Sequence, residues 1–282
     1  MLQGTCLSEA VRSFVLTQGE DHNSDNDELE GSLEDNEAGS EDEDEDDAIE
    51  GIHVLGDVSL AKQYQRGYPT TMRTLGKHIG VRSLKHLVSR FLCDQTHPNP
   101  LLDESPTPPL PTLHGPIRVF HSVAATFFAP SDISGVGGMR RKHIHATPCW
   151  RKGLPRYNCV FAEKDSSLDG FRGLHAARVL LLFSFTCGGV SYPCALVRWF
   201  SPIADEPDDL TGMWVVEPDF NGDGSPSFGI MHLDAVLQAA HLLPVFGDAF
   251  LPANFHFSQS LDSYKSFYVN KFVDHHAHEI AF

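Results

Sequence analysis

Long apolar runs and closely spaced cysteine pairs are missing from this 282-residue sequence. No stretch approaches the roughly 18 consecutive apolar residues of a membrane-spanning helix. The N-terminus lacks a basic region followed by an apolar run, so we expect no signal peptide and no membrane partner. The 6 cysteines form no C-x-x-C pair. That usage favours reduced thiols in an intracellular protein over a disulfide framework.

Catalytic signatures are missing too. The sequence contains no G-x-S-x-G and no phosphate-binding glycine motif, and we expect no cofactor and no catalytic residue. Two groups keep an enzyme alternative open, a metal-assisted nuclease or hydrolase. One is the acidic loop at 205–209. The other is His275, His278 and Glu279, which would share one helix face at metal-ligand spacing. A solvated hairpin tip for the acidic loop, and terminal packing or capping for the histidine cluster, are favoured over metal binding, so we predict no metal site.

Positive charge is absent from residues 20–50, which hold 17 acidic residues and no Lys or Arg. Such a segment repels itself and has little apolar surface to bury, so residues 1–58 are predicted to be a disordered acidic tail. Residues 51–160 carry 14 Lys/Arg against 5 Asp/Glu, and residues 161–282 carry 6 against 15. The tail is either a solubilising linker or a ligand for a basic partner, including the basic segment of its own chain.

The densest basic segment is Arg140–Arg156, with six Lys/Arg, two His and no acid within 17 residues. It predicts a nucleic-acid contact in which Trp150 stacks on a base while cations meet phosphates. The alternative is a solvated loop whose cations pair with the acidic loop at 205–209 or with the acidic tail. The predicted contact residues are Arg140, Arg141, Lys142, Trp150, Arg151, Lys152 and Arg156.

The strongest structural pattern is Ala176–Phe200, two apolar arms around Gly188-Gly189. It predicts a tight antiparallel hairpin that pairs Leu181 with Leu196, Phe183 with Cys194 and Phe185 with Tyr192. Pro193 has no N–H to donate, so its arm is expected to be an edge or bulged there.

The remaining pattern predicts an α+β chain: a small helical segment (59–97), a Pro-rich linker (98–116) and a β-rich domain (117–282). The second helix is expected over Ser83–Asp94, capped by Ser83 and decorated by basic residues. A strand from Ile117 is expected to run on toward Phe128. Residues 135–156 are expected to be a loop, Asp234–Leu242 a helix, and the chain to end in a C-terminal helix. The domain should be a mostly antiparallel, partly closed β-barrel.

A series of short phrases resembles the C-terminal tail of Plavaka-type transposases, fungal members of the CACTA/EnSpm superfamily. These phrases are Val119–Ser122, Phe127–Asp132, Gly137–Arg141, Thr147–Gly153, Tyr192–Val197, Trp199–Phe200, Thr211–Val216 and Phe267–His276. In that family the catalytic RNase H-like core lies upstream of this tail, and no residue here matches it. The resemblance implies a transposon-derived remnant without a catalytic centre, with a decaying relic as a further alternative.

Within this tail, the order hairpin, Trp199-Phe200, acidic loop and Met213–Val216 strand is similar to a bromo-adjacent homology (BAH) module. Such modules bind nucleosomes and other chromatin partners. Trp199, Phe200 and Trp214 would then lie in the core or line a reader groove, and the sequence leaves both open. Together, the patch and the resemblance predict a non-catalytic, nuclear module that binds DNA or chromatin or mediates a protein interaction.

Overall fold

The computed structural model describes residues 56–96, 111, 113–129, 138–247 and 254–282. The predicted disordered tail therefore lies almost entirely outside the described residues. The strands are β1 (Gly56–Leu60), β2 (Leu113–Phe120), β3 (Ser122–Phe128), β4 (Met139–Thr147), β5 (Arg156–Tyr157), β6 (Cys159–Glu163), β7 (Leu174–Cys187), β8 (Val190–Pro202), β9 (Val215–Pro218), β10 (Phe228–His232), β11 (Val236–Ala240), β12 (Leu242–Pro244) and β13 (Phe267–Val269). The helices are α1 (Met72–His78), α2 (Leu84–Thr96), α3 (Ser260–Ser263) and α4 (His275–Ala281).

The β7–β8 hairpin is the centre of the fold and has the predicted register. Leu181 lies opposite Leu196, Phe183 opposite Cys194 and Phe185 opposite Tyr192. Gly188 and Gly189 both have positive φ, 59° and 82°, as the two-residue turn between right-twisted strands requires. Strand β10 pairs with β8 only from Cys194 onward, so the predicted edge at Pro193 is confirmed.

Two antiparallel sheets form around this hairpin. One has the order β1-β3-β4-β5, and the other has the order β11-β6-β7-β8-β9-β13-β12, with β2 added on β7 and β10 on β8. A bulge between Val179 and Leu181 shifts the hairpin register by one residue. A bulge also bends its strand locally, which lets the two ends of the long strand β7 pack against different parts of the core. The predicted fold class is confirmed: α+β, mostly antiparallel, with a nearly closed, barrel-like sheet and a C-terminal helix.

Helices α1 and α2 pack on the hairpin rather than forming a separate unit. Leu75, Leu84 and Val88 are fully buried against Phe183 and Leu196 in one apolar cluster. Gly80 separates the two helices with a φ of 78°, as the predicted break requires. The helical segment is therefore part of the same core, and strand β1 joins it to the other sheet by pairing with β3.

Several predicted boundaries were wrong. The segment Asp234–Leu242 is not a helix: after a short 3-10 turn it forms β11, which pairs with β6. Its Val236 and Ala239 pack into one core cluster while Leu237 and Ala240 pack into another. Burial on both faces thus outweighs the helix propensity of this Leu- and Ala-containing segment.

The strand expected to run from Ile117 to Phe128 is also interrupted. It breaks at His121 into β2, which pairs with β7, and β3, which pairs with β4, so the two halves enter different sheets. The predicted loop at 135–156 contains strand β4, whose Ile144 is fully buried. The Pro-rich linker ends earlier than expected, because β2 begins at Leu113.

Candidate nucleic-acid interface

Strand β4 divides the predicted basic segment into two separate groups of cations. Arg140, Arg141 and Lys142 lie on its first half, whereas Arg151, Lys152 and Arg156 follow its end, where Thr147 pairs with Arg156. The rise of about 3.3 Å per strand residue places Arg141 and Thr147 about 20 Å apart. The six cations therefore do not form one patch.

Lys142 is used inside the protein. Its ammonium forms a hydrogen-bonded ion pair with the Asp274 carboxylate, and both side chains are largely shielded from solvent. The other Asp274 oxygen accepts from the Ala277 backbone N–H and caps helix α4. Lys142 therefore pairs with an acid that belongs neither to the acidic loop at 205–209 nor to the acidic tail, and a phosphate contact by this residue is not available.

The second group is the Trp150 knuckle, defined as Trp150, Arg151, Lys152 and Arg156. The Arg156 and Arg151 guanidinium carbons lie 4.8 Å and 5.4 Å from the indole centroid. The imidazole of His145 lies 4.1 Å from the same ring, nearly edge-on. This stack orders two long cationic side chains at the surface before any ligand arrives.

Two cationic residues of the knuckle have an unfavourable backbone conformation. Arg151 and Lys152 are exposed and have φ values of 47° and 60°, in the left-handed region that L residues avoid. Bonds from Trp150 N to Leu154 O (3.1 Å) and from Gly153 N to Trp150 O (2.7 Å) close the turn. Two cations in a sparsely populated conformation at an exposed tip suggest a functional reason for the strain.

The three predicted reader aromatics do not line a groove. Phe200 and Trp214 are 1% and 6% exposed and belong to the core around Phe267. Trp199 is half-buried and packs so closely on Gly229 that a Cβ at that glycine would lie 2.3 Å from the indole Nε1. The core alternative therefore holds for Phe200 and Trp214, and Trp199 fills a tight contact.

The candidate metal ligands do not converge on a site in the described residues. His275, His278 and Glu279 are exposed on α4, while His276 stacks on Phe127 with ring centroids 4.4 Å apart. In the acidic loop, Asp208 accepts bonds from the Thr211 N–H and hydroxyl, which lowers the pKa of its carboxyl group. Across the described ranges, no group of three His, Cys, Asp or Glu side chains is arranged to hold a metal ion.

A groove that the sequence did not predict lies beside β2. The Tyr64–Arg118 groove, about 270 Å³, is lined by residues 64–68, 70 and 116–118. Tyr64 is 52% exposed, and the Arg118 guanidinium carbon lies 5.5 Å from its ring centroid. The local sequence signal for this groove was the pair Tyr64 and Tyr68 on either side of Arg66. Nothing in the local sequence indicates that Arg118 packs against Tyr64 in the folded protein.

A hydrogen-bonded chain links this groove to the Trp150 knuckle. The Tyr68 hydroxyl bonds His121 Nε2 at 3.1 Å, and His121 Nδ1 bonds the Thr147 hydroxyl at 3.3 Å. The Thr147 hydroxyl donates to the Cys149 carbonyl at 2.9 Å, next to Trp150. Burial raises the pKa of Tyr68 and lowers that of His121, so the chain is neutral near pH 7.

A third cationic surface is the outer face of α1, α2 and their connection. All five of its cations are exposed, and none forms an ion pair with a carboxylate in the described part of the chain. Their side chains are therefore available to an anionic partner or to solvent. They are Arg73, Lys77, Arg82, Lys85 and Arg90.

No family model matches the chain, and no curated protein matches it. Among the helices that the structure describes, none is both long and apolar enough to cross a bilayer.

Proposed function

We propose that this chain is a non-catalytic binding module for nucleic acid, DNA or chromatin, acting in the nucleus through the Trp150 knuckle. The transposase resemblance is compatible with this proposal but does not carry it. The observation that carries it is the stack of two guanidiniums and one imidazole on Trp150 at an exposed, strained turn.

Charge and preorganisation support the proposal. The described residues include 20 Lys and Arg side chains and 16 Asp and Glu side chains, so this part of the protein is cationic, although the net charge of the whole chain is −17. Arginines held on an indole have lost rotamer freedom before binding, which lowers the entropic cost of contacting phosphates. Guanidiniums also bind phosphate oxygens through two parallel hydrogen bonds.

The enzyme alternative, a metal-assisted nuclease, requires side chains that converge on a metal ion. Among the described residues, no such group of ligands favours it. The relic alternative predicts no specific affinity at all. One binding experiment therefore bears on the proposal directly.

The experiment compares affinity for a labelled oligonucleotide at about 50 mM salt, where phosphate contacts count most. The test variant is Arg151→Asn with Lys152→Asn, because asparagine tolerates the left-handed backbone of both positions. The control, Lys164→Asn with Lys265→Asn, removes the same charge from two other exposed positions. We expect the test variant to bind at least about tenfold more weakly and with a shallower salt slope. Equal losses in both variants, or no binding by the natural chain, would refute the proposal.

A further inference from the structure

We propose, resting on the function above, that the Tyr64–Arg118 groove is a base-stacking subsite and that the ligand is single-stranded nucleic acid. The groove offers an exposed aromatic ring, two arginines (Arg66 and Arg118) and no acidic lining residue. Rings that stack on bases together with guanidiniums that meet phosphates are the recurring parts of single-strand sites.

The size and position of the groove fit one nucleotide rather than a larger ligand. Its volume of about 270 Å³ is at the lower limit for small-molecule sites. A second cavity of about 150 Å³ continues past Arg118 and is lined by the hydroxyl-bearing residues Ser184, Thr186 and Ser191. Arg118 lines both cavities, with hydroxyl groups on one side and the Tyr64 ring on the other. This arrangement suits a nucleotide whose base stacks on the ring and whose sugar and phosphate contact the guanidinium and the hydroxyls.

The groove and the knuckle are connected through the interior of the fold. The Tyr68 side chain of the groove bonds His121, which bonds Thr147, and Arg156 of the knuckle lies opposite Thr147 on the neighbouring strand. Because so few residues separate the two sites, one strand of nucleotides that binds in the groove can extend to the knuckle cations.

Single-stranded ligand is favoured over duplex because the face of a base is accessible only when its neighbours are unstacked. A tyrosine ring on the wall of a narrow groove cannot reach the base faces inside a duplex. The knuckle cations alone would not distinguish single-stranded from duplex nucleic acid, because both carry phosphates.

The test uses three labelled probes of about 12 nucleotides: oligothymidylate, a matched abasic strand and a duplex. We expect Tyr64→Ala to weaken oligothymidylate binding by about 5-fold to about 100-fold, with little change for the abasic strand and the duplex. Tyr64→Phe should retain affinity, because stacking needs the ring and not the hydroxyl. The matched control is Phe220→Ala, another exposed aromatic under a guanidinium, Arg198, at 5.2 Å.

The outcomes separate this inference from the proposed function. If Tyr64→Ala leaves oligothymidylate binding unchanged while the Arg151/Lys152 variant loses it, the subsite is wrong and the function stands. An equal loss on the abasic strand shows a phosphate contact without stacking and also overturns the subsite. If the natural chain binds none of the three probes, both proposals fail.

Discussion

Arg178 on β7 and Arg198 on β8 lie directly opposite each other, and their guanidiniums face the same carboxylate oxygen. The Arg178 and Arg198 Nη1 atoms lie 2.8 Å and 3.8 Å from Oδ1 of Asp262, on helix α3. Like charges opposite each other in a sheet repel, so one carboxylate stabilises both. Arg178 is only 7% exposed, and its Nε has no hydrogen-bond partner among the described residues.

Replacing Asp262 with Asn should therefore destabilise the fold. Removing one partner from a buried pair leaves an uncompensated charge and costs about 3–5 kcal/mol. Because the Asp262 side chain is 56% exposed and solvent screens it, we expect a loss of about 1–2 kcal/mol in urea unfolding. Glu206→Gln, an exposed acid on a loop, is the control. A loss for Asp262→Asn no larger than that of the control would show that solvent, not Asp262, compensates the arginine pair.

The Lys142–Asp274 pair should matter for stability and not for binding. Lys142→Met should lower the free energy of unfolding by about 2 kcal/mol, because Asp274 is then left largely buried without its partner. Asp274→Asn loses the pair but keeps the helix cap, while Asp274→Ala loses both and should cost about 1 kcal/mol more.

The control for this prediction is Lys152→Asn, which removes the same charge from the knuckle. It should reduce oligonucleotide affinity with little effect on stability, the reverse of the Lys142 pattern. If Lys142→Met weakened binding as strongly as Lys152→Asn, the division of the basic segment by β4 would have no functional meaning.

What the sequence predicted correctly was local. The alternation on either side of Gly188-Gly189 determines the register of β7 and β8, since a tight turn leaves few other pairings. The helix break at Gly80 was equally local. By contrast, β11 is extended because β6 lies beside it, and no property of Val236–Ala240 alone indicates this.

The proposed functional surface could be predicted only in part, for the same reason. The knuckle is a contiguous run around Trp150 and could be recognised by composition. The groove combines Tyr64 with Arg118, and the lost phosphate contact at Lys142 depends on Asp274, 132 residues away. Such pairs arise only from the tertiary fold, so single-sequence patterns cannot indicate them.

A pH dependence follows from His175 on β7. Its ring lies 5.5 Å from Trp199, and burial lowers the pKa of His175 to about 4 from an ordinary value near 6.5. Because the folded pKa is below the unfolded one, the unfolded state binds the proton more tightly. Stability is therefore full above about pH 6.5 and falls as the pH decreases toward 4.

The variant His175→Gln should flatten part of this dependence. A folded pKa of about 4 against an ordinary value near 6.5 corresponds to a stability difference of about 3 kcal/mol. Residual solvent contact of the ring reduces the expected difference to about 2 kcal/mol between pH 7 and pH 4. Burial also lowers the pKa of His121 and of His276, so the natural chain and the variant share the pH dependence that these two groups cause. Identical pH profiles for the two proteins would mean that His175 is solvated in solution.

The acidic segment 20–50 should compete with nucleic acid for the exposed cations of the same chain. It carries 17 acidic residues, and Arg73, Lys77, Arg82, Lys85 and Arg90 on the helices offer a facing surface besides the knuckle. A tethered competitor acts at an effective concentration near the millimolar range, and its attraction is screened by salt. Deleting residues 20–50 should thus raise the affinity for nucleic acid several-fold at about 50 mM salt and little at high salt.

The control is a chain of natural length in which Asn and Gln replace the acidic residues of the segment. This neutral variant should bind nucleic acid as tightly as the deletion variant. Unchanged affinity of the deletion at about 50 mM salt would contradict competition, whereas a neutral segment as inhibitory as the natural one would show that its bulk, not its charge, obstructs the surface.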